Sequence, residues 1–67
     1  MKHYEIMNVY GHVLEDVWAK SEREALCIYL TKHEELNDMM LWASVFNGQW
    51  RLAEYDNEDE YMFAKEV

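Results

Sequence analysis

The chain has 67 residues, with 14 Asp plus Glu against 6 Lys plus Arg and a formal net charge of -8. That length holds a single domain, residues 1–67, which hides only about 60% of its unfolded surface and has too little wall for a deep pocket. The acidity excludes the basic footprint of a direct nucleic-acid binder, and an apolar content of 51% excludes a disordered acidic tail.

The N-terminal residues Met1-Lys2-His3-Tyr4-Glu5 reach an acid before any apolar segment, so no signal peptide is expected. No apolar run approaches the roughly 18 residues of a membrane span. Cys27 is the only cysteine, which excludes an internal disulfide and a cysteine zinc site and points to a reducing, cytoplasmic setting.

Tyr10-Gly11-His12-Val13 places glycine at the first central position of a type II′ turn. A two-residue loop there pairs Asn8 with Glu15, Ile6 with Val17, and Tyr4 with Ala19. Tyr4, Ile6, Val17 and Ala19 then share an apolar side. Glu5, Met7, Asp16, Trp18 and Lys20 share the other.

Ser21-Glu22-Arg23-Glu24 is a capping box, which starts a helix near Glu22. The helix is expected to run to about Leu36, with Asn37-Asp38 as its stop. Ala25, Leu26, Tyr29, Leu30, His33 and Leu36 form one arc, the pattern of a helix that covers a sheet.

Phe46-Asn47-Gly48-Gln49 carries the strong Asn-Gly hairpin signal. Its register pairs Val45 with Trp50, Ala43 with Leu52, and Leu41 with Glu54. The whole reads as α+β: an antiparallel sheet of two hairpins, ββαββ, with one helix on one face. Tyr61-Met62-Phe63-Ala64 is either a fifth edge strand or a helical turn.

This register leaves Trp42, Phe46, Arg51 and Tyr55 on the face away from the helix, joined by Trp18 and Met7. Aromatic side chains around an arginine have the composition of an interaction hot spot. The competing reading is a second small core closed by the Tyr61–Phe63 segment. The acidic segment 54–67 carries Glu54, Asp56, Glu58, Asp59 and Glu60, five acids in seven residues, and a local charge of -5 against -3 for the rest of the chain. It is read either as a solvated, solubilising run or as carboxylates that take the place of phosphates in a basic groove.

No chemistry-bearing motif is present. There is no phosphate loop, nucleophile elbow or zinc-hydrolase signature. His3, His12 and His33 are scattered, and the acidic run lacks the glycine and spacing of a calcium loop. The expectation is no enzyme, no cofactor and no metal.

The order of Trp18-Ala19-Lys20-Ser21-Glu22-Arg23-Glu24-Ala25 followed by Phe46-Asn47-Gly48-Gln49-Trp50-Arg51-Leu52 resembles small single-domain phage proteins, including some anti-CRISPR proteins with one helix on a short antiparallel sheet. The likeness spans residues 4 to 55 as a pattern of turn and cap signals. It implies a protein that blocks a host nucleic-acid-handling complex by binding it. The partner is then a basic host protein or ribonucleoprotein complex, with no direct nucleic-acid contact and no membrane. The alternative is a homodimer or phage structural or accessory module that uses the aromatic face for self-contact.

Overall fold

A computed structural model describes residues 1–36, 39–43, 48–54 and 57–67. The protein is a small α+β fold with one antiparallel sheet of five strands and one α-helix. The strands are β1 (Lys2–Asn8), β2 (Val13–Ala19), β3 (Met39–Ala43), β4 (Trp50–Glu54) and β5 (Asn57–Glu66), and α1 spans Glu22–Lys32 between β2 and β3. The sheet order is β2-β1-β5-β4-β3.

The chain is therefore ββαβββ, not ββαββ. The Tyr61–Ala64 stretch is neither an edge strand nor a helical turn: it lies in β5, at the centre of the sheet, between β1 and β4. A central strand has neighbours on both edges, and here Met62 and Ala64 are buried on one face while Tyr61 and Phe63 are half-buried on the other.

Both hairpin registers differ from the sequence reading by two residues. Tyr4 pairs with Val17 and Ile6 with Glu15 in the first, Leu41 with Leu52 and Ala43 with Trp50 in the second. A shift of two preserves the side each residue occupies, because side chains alternate with period 2. The cause in the first hairpin is Asn8. Its Oδ1 accepts the N–H groups of Tyr10 and His12, both at 3.0 Å, and closes a three-residue loop, Val9–Gly11, in place of Gly11-His12. Gly11 closes that loop at φ +83°, a conformation that disfavours a Cβ. The extra length is absorbed by a bulge opposite Ile6 and Met7. In the second hairpin Gly48 has φ +64°, while residues 44–47, which include the expected Asn47, lie outside the described residues.

Ser21 is the N-cap of α1, and its Oγ accepts the N–H of Glu24 at 3.2 Å. The helix stops at Lys32 rather than Leu36. His33 takes a non-helical conformation as C-cap, and Glu34–Leu36 follow as a 3-10 turn. Ala25, Leu26 and Tyr29 share one core with Tyr4, Ile6, Val17, Ala19, Leu52, Met62 and Ala64. Ile6, Leu26 and Leu52 are its fully buried large side chains. Each contributes about 1.5–3 kcal/mol relative to remaining in water. Among the described residues no helix is long and apolar enough to cross a membrane.

Candidate interaction face

Alternation along the strands sends Tyr4, Ile6, Val17, Leu52, Met62 and Ala64 into the core and their neighbours in sequence to the other side of the sheet. The registers align those neighbours into a row that crosses all five strands: Val13, Met7, Phe63, Arg51, Trp42. Met7, Phe63, Arg51 and Trp42 are half-buried, and Val13 is 48% exposed. Among the described residues no helix or strand lies over this side.

Arg51 is the charged centre of the row. Its guanidinium lies 4.0 Å from the centre of the Tyr61 ring, and its Nε donates to Gln49 Oε1 at 3.0 Å. Tyr61 in turn lies 6.1 Å from Phe63, ring centre to ring centre. Ala53, on the same side as Arg51 and directly across from Tyr61, is fully buried. Arg51 is thus held in place by Gln49, just before β4, and by Tyr61 of β5, with its cation over an aromatic face.

At the β2 end, the His3 ring stacks on Trp18 at 4.7 Å and 17° between planes, and His3 Nε2 lies 2.9 Å from Asp16 Oδ1. Trp18 stays 60% exposed. Trp50, the third tryptophan, faces the other way: it packs against the core, with the Arg23 guanidinium 5.4 Å from its ring centre.

The structure brings Trp42 and Arg51 together and adds Tyr61 and Phe63 to them. Those two do not close over the face as a lid; they belong to it. Their signal in the sequence is the unbroken apolar run Tyr61–Ala64, the pattern of a strand covered on both faces. Phe46, Tyr55 and Asp56 lie outside the described residues.

Of the acidic run, the structure describes the side chains of Glu54, Asp59 and Glu60. Glu54, the exposed last residue of β4, pairs with Met39, whose side chain packs on the core, so it sits on the helix side of the sheet. Asn57 opens β5, so the run enters a strand and is not wholly a loop. The register jumps between Ala53–Tyr61 and Glu54–Asn57, which makes the start of β5 irregular around Glu58, Asp59 and Glu60. Asp59 and Glu60 are exposed. Glu60 accepts the Tyr10 hydroxyl at 3.0 Å, and this bond and the carboxylate charge raise the phenol above its ordinary pKa. Glu54 and Glu60 line one cavity of about 200 Å³ with the tip of the first hairpin.

The remaining titratable cluster lies at the end of α1. Glu15 accepts from Lys32 Nζ at 3.1 Å and lies 3.2 Å from His33 Nε2, while His33 Nδ1 lies 3.3 Å from Glu35. Burial works to raise the Glu15 carboxyl, but Lys32 and His33 together hold it below its ordinary value. The backbone N–H of Glu35 and the His33 ring lower the Glu35 carboxyl. Among the described residues no group of three His, Cys, Asp or Glu side chains is placed to hold a metal ion.

Comparison of the chain with protein-family models, with curated proteins and with solved structures finds no match.

Proposed function

We propose that the protein is a non-enzymatic binding module that docks on a basic protein surface through the side of the sheet opposite the helix. The observation that carries this reading is the row from Val13 through Met7, Phe63 and Arg51 to Trp42, in a chain whose net charge is -8. Aromatic side chains and one pre-positioned arginine supply the anchor, and the overall negative field draws a basic partner in. The biological role that fits is a phage anti-defence inhibitor of the anti-CRISPR type. It would occupy a basic, nucleic-acid-binding groove of a host complex in the cytoplasm, with the exposed Asp59 at the rim.

The experiment is affinity capture on the immobilised protein, followed by binding kinetics with the captured partner. On-rates should fall with rising salt, nucleic acid should compete, and Trp42→Ala or Phe63→Ala should speed dissociation. Binding that is indifferent to salt and to nucleic acid overturns the proposal. The second reading is self-association through the same row, favoured by Arg51 being its only charged member. A dimer that persists at high salt assigns the face to that role, since apolar contacts are not screened.

A further inference from the structure

Among the described residues, every exposed large apolar side chain that lies within a strand lies on β2: Val13 at 48%, Leu14 at 43% and Trp18 at 60%. β2 is also an edge of the sheet. Edges are ordinarily blunted by proline or lysine, and Val13–Ala19 contains neither. The bulge is confined to the Val13–Leu14 end, and Glu15–Ala19 pairs regularly with Lys2–Ile6.

The charges along one row end abruptly at this edge. Lys65 pairs with Glu5, and Glu5 pairs with Asp16. Like charges directly opposite destabilise a sheet, and a cation on the far side of Asp16 would relieve this pair. His3 meets Asp16 from β1, yet the Asp16 side chain remains 62% exposed. Two residues along, Trp18 is held flat by its stack on His3.

We infer that the β2 edge is a strand-addition site for an extended basic segment of a protein partner, with lysine or arginine opposite Asp16 and an apolar residue opposite Trp18. Main-chain hydrogen bonds to β2 supply affinity, and these two positions supply selectivity. A second copy does not fit this role: its own β2 carries no basic residue, and each copy brings a charge of -8. The inference rests on the reading of the protein as a binder of basic proteins and adds the mode of contact.

The test uses the full chain, labelled with nitrogen-15, and two capped peptides of alternating threonine and valine. One has a central lysine, the other a glutamate at that position. The lysine peptide should bind about two- to fivefold more tightly than the glutamate peptide and slow amide exchange across β2. Asp16→Lys should reverse the preference, and Asp16→Asn should abolish it; circular dichroism checks that both variants fold. Equal binding of the two peptides, or unaltered exchange at β2, overturns the inference. If the lysine peptide instead shifts resonances around Trp42 and Phe63 with β2 silent, strand addition fails while the wider reading stands. If neither peptide nor polylysine binds anywhere, both fail.

Discussion

Arg51 sits on the diagonal between β4 and β5, its guanidinium 4.0 Å from the centre of the Tyr61 ring. A cation over an aromatic face is worth about 0.5–1 kcal/mol at an exposed site. Urea denaturation of Arg51→Ala, Tyr61→Leu and the double variant should give a coupling of that size. Additive effects would mean that the pair contributes nothing to folding. Arg51→Lys should recover only part of it, because an ammonium lacks the planar stack.

Leu52 is fully buried in β4 and touches the core from a strand paired on both sides. Leu52→Ala should cost about 2–5 kcal/mol through lost burial and a residual cavity. Domains of this size hold about 0.05–0.15 kcal/mol per residue in total. The variant should therefore lose a large share of the total and melt well below the wild type by circular dichroism, and a cooperative melt near the wild-type temperature would contradict the burial of Leu52 in the core.

Ser21→Ala removes the acceptor for the Glu24 N–H and should cost about 1 kcal/mol. In so small a domain this lowers the melting temperature by about 4–8 °C. Ser21→Asp should restore it.

Glu15 and Glu35 both have carboxyls lowered in the folded protein. A group whose folded pKa lies below its unfolded one binds protons more readily in the unfolded chain. Its stabilisation is present above the ordinary carboxylate value and is lost as pH falls through the folded one. Melting temperature measured from neutral pH downward should drop in the acid range, and Glu15→Gln should flatten that drop. An unchanged acid limb in Glu15→Gln would place the lost stability elsewhere.

The sides of the strands were legible in the sequence, and the pairing was not, for one physical reason. Alternation says that Ile6 and Val17 share a face, but any register shifted by an even number keeps that agreement. What selects among them is the loop, and Asn8 selects a three-residue loop through two side-chain hydrogen bonds. The start of α1 was readable because the cap at Ser21 is local. Its end was less so, since His33 leaves helical geometry beside Glu15 on a distant strand. β5 escaped because a strand with Tyr61 and Phe63 on one face and Met62 and Ala64 on the other shows no apolar–polar alternation. The same gap hid half of the candidate face.

The sheet order also dictates when the molecule can fold. β1 with β2, and β3 with β4, are local hairpins, but they touch no common strand until β5 enters between them. That insertion brings Ala64 beside Ile6, a closure across nearly the whole chain. Its entropy cost falls before the reward of central pairing, so folding should be slower than helix-first small domains and should proceed in one late step. Until β5 inserts, α1, which packs on the same core as both hairpins, is what bridges them, and the apolar surface it leaves uncovered is open to chaperones and to other chains.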